Sequence, residues 1–199
     1  FTAVEEIEKA GGKGLPIQCD IREEQQVIAA VNKAAETFGG IDVLVNNAGA
    51  LQLTGTLETD MKRYDLMNGI NARGTFAASQ ACLPHLLKAK TPHILNISPP
   101  IAAIQARWFA PHVAYTMAKF GMSLCVLGMH EEFRGRVAVN ALWPRTVIDT
   151  SAVRNLLGGD TVAKQGRKPE IKADAAYVIL TKDVNYTGHF VIDDEVLRD

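Results

Sequence analysis

The chain has 199 residues, 47% of them hydrophobic and 22% charged, with a formal net charge of −1. Those proportions belong to a soluble globular domain able to bury a core, and the interspersed acids and bases leave no electrostatic footprint for nucleic acid or an anionic membrane surface. The longest uncharged apolar run in the second half, Phe120–Met129, has ten residues, well short of the ~20 that a membrane-spanning helix needs.

In chain order, Thr2–Ala10 predicts a helix closing on Gly11-Gly12, and Leu15–Cys19 a short buried strand that ends at Asp20. A helical period over Arg22–Phe38 closes on Gly39-Gly40, where helix C-caps belong. The aliphatic run Asp42–Val45 predicts a strand entering Asn46-Asn47-Ala48-Gly49. Leu57–Leu87 reads as helical but broken near Ile70–Asn71, because asparagine competes with the helix backbone for hydrogen bonds. His93–Ile97 predicts the next strand, followed by Ser98-Pro99-Pro100; Tyr115–Phe133 is helical; Arg136–Leu142 is a strand running into Trp143-Pro144-Arg145-Thr146. Gly158–Glu170 lacks apolar periodicity and reads as a surface loop or lid, before a helix over Ala173–Leu180 and a strand over His189–Ile192.

Short aliphatic runs alternating with helical segments predict βαβ units and an α/β doubly wound parallel sheet in a single domain. No strand, glycine-rich loop and helix precede Thr2, and no GxGxxG turn occurs anywhere in the sequence. Such sheets place their first strand centrally, so the first βαβ unit is expected to be missing from this chain and the remainder to form two half-sheets with exposed edges. The start, Phe-Thr-Ala-Val-Glu-Glu, has no initiator methionine, basic region or apolar leader, as in a chain entered partway rather than at a signal peptide. Cys19, Cys82 and Cys125 are odd in number and widely spaced, which predicts neither a disulfide framework nor a metal site and fits a reducing, cytoplasmic compartment.

Strand ends are where open α/β sheets gather ligands. Here they offer Asp20, Asn46-Asn47-Ala48-Gly49 and Trp143-Pro144-Arg145-Thr146. Tyr115 and Lys119, four residues apart, share one helical face. A phenol titrates near ~10, and a neighbouring ammonium favours its ionised form, which suits general acid–base work on an alcohol or carbonyl. Taken alone, the pair reads more readily as an amphipathic helix with a half-buried tyrosine and a snorkelling lysine.

The ordered set Asn46-Asn47-Ala48-Gly49, Asn71 with Gly74, Tyr115-xxx-Lys119 and Pro144 resembles the short-chain dehydrogenase/reductase family over essentially the whole chain. Asn96-Ile-Ser-Pro-Pro100, Ala141-Leu-Trp-Pro-Arg-Thr146 and Ala173-Asp-Ala-Ala-Tyr177 resemble one branch of it more narrowly. The resemblance implies a Rossmann-type domain that binds NADP or NAD and passes a hydride between nicotinamide and a small-molecule carbonyl or alcohol. It makes Tyr115 the acid/base, with Lys119 lowering its pKa and holding the nicotinamide ribose, and gives Asn71 a water of the proton relay. Asp20, with Ile21 beside it, would accept from the adenine amine; Asn47, Ala48 and Gly49 would line the adenosine ribose; Pro144, Val147 and Thr150 would meet the nicotinamide end. It also implies a homodimer or homotetramer through helices around Ala77–Lys88 and Phe120–Phe133. A further sterol-carrier module, which some relatives carry, is not expected in a chain closing at Val196–Asp199.

Three positions depart from that pattern. The family's usual serine falls on Pro99, which has no hydroxyl, so Ser98 either substitutes from one position earlier or is only a turn serine. Arg145 replaces the usual glycine, and either pairs with pyrophosphate or points to solvent. His112, Trp108 and Phe109 either line a substrate cleft or pack the loop. The lost serine leaves a competing reading, a non-catalytic nucleotide- or lipid-binding relative.

Overall fold

The structure, a computed structural model, describes residues 2–150, 153–154, 161 and 164–198. Four parallel strands, β1 (Val43–Asn46), β2 (His93–Asn96), β3 (Ala138–Trp143) and β4 (Phe190–Ile192), form one sheet in the order β1-β2-β3-β4. The register pairs Val43 with His93 and Asn46 with Asn96, and carries on through Asn96 opposite Ala141. All four residues of β2 are buried, as expected of a strand covered on both faces.

Alternate residues feed two separate cores. Ile94, Val137, Val139 and Ala141 pack with Cys82, Leu86, Val126 and Met129 on one face; Leu95 and Leu142 pack with Ala175, Ile179 and Val196 on the other. The first face is covered by α2 (Glu24–Phe38), α4 (Gly74–Leu86) and α6 (Val113–Glu132), the second by α7 (Glu170–Leu180) and α8 (Asp193–Val196). Outside them, α1 (Thr2–Lys9) opens the chain, α3 (Met61–Asn68) precedes α4, and α5 (Ala106–Phe109) precedes α6. Helix α2 closes on Gly39, whose φ of 89° lets its N–H return to the Ala35 carbonyl.

The expected break near Ile70–Asn71 is a π-helical turn, Gly69–Arg73, between α3 and α4. There α6 crosses so closely that a Cβ on Gly121 would lie 2.5 Å from the Ala72 Cβ.

Two expectations need correction. Leu15–Cys19 is not a strand: Ile17 and Cys19 are exposed, and an extended segment becomes a strand only when a neighbour pairs with its backbone. Nor do the strands divide into two half-sheets: the four described strands pair into one sheet, and Leu15–Cys19 pairs with none of them. The edges of that sheet are β1 and β4, and at β1 Val43 is 40% and Val45 44% exposed. Within the expected loop Gly158–Glu170, Arg167 bridges to Ile148, and α7 begins at Glu170 rather than Ala173; residues 158–160 and 162–163 of that loop lie outside the described residues.

Candidate active site

The end of β1 is tied down by buried amides. Asn46 Nδ2 donates to Asn96 Oδ1 at 2.8 Å and to Ser79 Oγ at 3.1 Å, and Asn96 Nδ2 donates to the Met122 carbonyl at 3.1 Å. This network joins β1, β2, α4 and α6 and satisfies polar groups that would otherwise be costly to bury. The chain then emerges at Asn47, Ala48 and Gly49, all exposed. Asn71, fully buried in the π-helical turn, spends its side chain on Ala50, accepting from the Ala50 N–H at 2.8 Å and donating to its carbonyl at 2.9 Å. Its amide therefore holds the strand-end loop.

Helix α6 delivers both halves of the Tyr115–Lys119 pair. Tyr115, with Ala50 and Tyr64, packs against Met67, Ala114 and Ala118, so the phenol, the strand-end loop and the π-helical turn meet in one place. Lys119 is only 8% exposed; its Nζ donates to the Ile97 carbonyl at 2.6 Å, lies 3.1 Å from Met122 Sδ, and sits 5.4 Å from the centre of the Trp143 ring. Burial, reinforced by Lys172, pushes Lys119 down to about 8. The expectation that Lys119 lowers the Tyr115 pKa is not met here: burial raises the phenol, and the ammonium is occupied by a strand-end carbonyl.

Ser98 is fully buried at the end of β2, and its hydroxyl has no partner among the described residues. Such an orphan is rare enough to need a reason. The neighbouring Pro99 carbonyl accepts from Ser123 Oγ at 2.7 Å. The long stretch to Tyr115 holds a 3-10 turn, Ile101–Ala103, and α5. His112 sits edge-on to Tyr115 with ring centres 5.8 Å apart and holds Thr116 at the start of α6, while Phe109 stacks on Phe120 at 5.2 Å and Trp108 stays half exposed.

Beyond β3, Pro144 is half-buried, and Val147 and Thr150 are exposed. Arg145 is 46% exposed and pairs with Asp194 at 2.7 Å and with Glu195, while its N–H donates to Asp193 Oδ1 at 3.2 Å. Arg167 holds Asp193 by both carboxylate oxygens, at 2.9 and 2.8 Å. The loop after β3 is thus strapped to α8.

At the other side, Asp20 is gripped by Arg22, whose Nε lies 2.9 Å from Oδ1, and the hydrogen-bonded guanidinium pulls the carboxyl down to about 2. Ile21 packs on α4, where a Cβ at Gly74 would lie 3.0 Å from it. Two recesses, about 580 Å³ beside Phe38 and His85 and about 710 Å³ beside Arg22 and Asp60, are lined by neither Tyr115 nor Lys119.

The structure therefore gathers Asn71, Tyr115 and the Asn47–Ala50 loop in one neighbourhood, and Lys119, Ser98 and Trp143 at the ends of β2 and β3. Sequence reasoning missed Asn96, Ser79, Asp193 and Lys172. Asn46 and Asn96 announce themselves only as amides inside apolar runs, and Lys172 only as a cation among the apolar residues of α7.

A family model for short chain dehydrogenases matches residues 2–159. Hydroxysteroid dehydrogenase-like protein 2 of Danio rerio is 60% identical over 198 residues, covering all of this chain and 47% of that protein. A short chain dehydrogenase of Mycobacterium thermoresistibile superposes with a TM-score of 0.92 at 53% identity, over 99% of this chain and 70% of the other. A metagenomic short-chain oxidoreductase in complex with NADP gives 0.77 at 25% identity, over 96% and 78%. The chain spans about half the length of the curated relative it matches.

Proposed function

The chain belongs to the short-chain dehydrogenase family, and on that premise we propose that it forms the greater part of the catalytic domain of an NADP- or NAD-dependent oxidoreductase interconverting a carbonyl and a secondary alcohol. The observation that carries this reading is the Tyr115–Lys119 pair on one face of α6, with a buried ammonium at the strand ends and a phenol beside the loop that Asn71 holds.

The residues present fit a nicotinamide dinucleotide. Lys119 is an ammonium bonded to a carbonyl and a thioether but to no carboxylate, and Ser98 is a buried hydroxyl with nothing to bond among the described residues. Lys119 would hold the nicotinamide ribose, Asn47, Ala48 and Gly49 the adenosine ribose, Asp20 and Ile21 the adenine side, and Pro144, Val147 and Thr150 the nicotinamide end. When bound, the nicotinamide supplies or takes the hydride at the substrate carbon.

Tyr115 does the proton work. Burial keeps its phenol protonated, so the form present at neutral pH is a donor, which favours giving a proton to a carbonyl oxygen as negative charge grows on it. In the reverse direction the phenolate takes the alcohol proton. Ser98 orients that oxygen by its free hydroxyl. The apolar residues Phe76, Met117, Leu124 and Leu127, between 45% and 57% exposed along α4 and α6, supply the face of a homodimer or homotetramer. No described helix is long and apolar enough to cross a membrane, and Cys19, Cys82 and Cys125 are all free thiols, in keeping with a cytoplasmic setting.

The test is cofactor consumption by the full-length protein against a panel of ketones and aldehydes, with cofactor binding followed separately. Turnover of any panel member supports the reading. Binding without turnover on all of them favours the non-catalytic relative, for which Pro99 in the usual serine position is the specific argument.

A further inference from the structure

Lys172 reaches the strand ends from the layer opposite Lys119. It sits in the first turn of α7, on the face of the sheet that carries Leu95 and Leu142, whereas Lys119 comes from α6 on the other face. Lys119 Nζ donates to the Ile97 carbonyl at 2.6 Å, and Lys172 Nζ to the Leu142 carbonyl at 3.4 Å. Asn96 stands opposite Ala141 in the β2–β3 register, so Ile97 and Leu142, each one residue further on, lie at the same level of neighbouring strands ~4.8 Å apart. Two ammonium groups therefore converge on one edge, with Trp143 beside them.

Among the described residues neither ammonium is ion-paired. The carboxylate acting on Lys172 is Asp193, which gives both oxygens to Arg167 and accepts the N–H groups of Arg145 and Asp194 as well. Lys172 and Lys119, both pushed down by burial to about 8, also repel each other. Like charges held together in a poorly solvated place gain most from an anion. A neutral ketone would leave both uncompensated.

We propose that Lys172 forms an anion subsite at the end of β3, beside Lys119, so that the substrate is an oxo acid or hydroxy acid whose carboxylate Lys172 holds. The substrate class rests on the oxidoreductase reading, while the subsite stands on the placement of the two lysines. Lys119 serves the cofactor in that reading, which leaves Lys172 as the specificity-determining residue.

Three probes separate the possibilities in the full-length protein with cofactor present: levulinate, its methyl ester, and pentanoate, which has the carboxylate but no ketone. Calorimetry should show levulinate and pentanoate binding and the ester binding about tenfold more weakly or worse, and Lys172→Met should weaken the two acids by a similar factor while leaving the ester unchanged. The variant keeps an unbranched side chain one atom shorter, and its fold is checked by thermal melting; should it not fold, Lys172→Gln is read in the same way. Acid binding that needs Lys172 without any ketone turnover keeps the subsite and discards the oxidoreductase. Equal binding of levulinate and its ester, no acid binding at all, or acid binding indifferent to Lys172→Met overturns the subsite.

Discussion

Asn71 holds Ala50 by both of its backbone polar groups, with N–H and carbonyl contacts of 2.8 and 2.9 Å, from a π-helical turn 21 residues further along the chain. Asn71→Ala removes both bonds and leaves two part-buried backbone groups without a partner. The expected cost is roughly 2 kcal/mol or more in denaturant unfolding. Asn71→Asp keeps the acceptor and loses the donor, so it should fall between the alanine variant and the native protein. Equal stability of all three would mean that the loop is held by something else.

Glycines on α6 make opposite predictions two helical turns apart. At Gly121 an added Cβ meets Ala72 at 2.5 Å, whereas at Gly128 it meets nothing within 4 Å. Gly121→Ala should destabilise by about 1–3 kcal/mol through overpacking. Gly128→Ala should stabilise by up to about 1 kcal/mol, because alanine is the better helix former. Thermal melting of the two variants checks the pair.

Buried lysines set a pH dependence of stability. Lys119 and Lys172 are pushed from the ordinary 10.5 down to about 8 in the folded chain. Above pH 8 the folded state has released those protons while the unfolded chain still holds them, so stability rises with pH. The clearest window is about pH 8 to 9. Above it the unfolded thiols begin to ionise while folded Cys82, raised to about 11, does not, which works in the opposite direction. Lys172→Met should remove part of the rise, as seen in urea unfolding at pH 7.5 and pH 9; an unchanged slope would mean that Lys172 is solvated.

Much of the fold was legible because apolar runs four to seven residues long, set between helical periods, say parallel sheet whatever the partners are. Leu15–Cys19 shows the limit: its composition suits a strand, but strandhood is a property of a neighbour, and composition carries no neighbour. The break at Asn71 was readable from helix propensity, while its grip on Ala50 was not, since a 21-residue separation has no periodic signature. At the site, the spacing of Tyr115 and Lys119 gave the shared face correctly. The direction of the phenol shift went the other way, because burial raises it. Lys172 stayed hidden, as one cation in an amphipathic helix looks like any solvated lysine until the sheet edge is seen.

The most direct test of the account is Tyr115→Phe in the full-length protein, which deletes one oxygen and keeps the ring packed with Ala50, Tyr64 and Met67. Using whichever carbonyl substrate the panel identifies, turnover should fall by about a hundredfold or more, with the thermal midpoint and cofactor affinity close to native. Turnover equal to that of the native protein would contradict the assignment of Tyr115 as the proton donor.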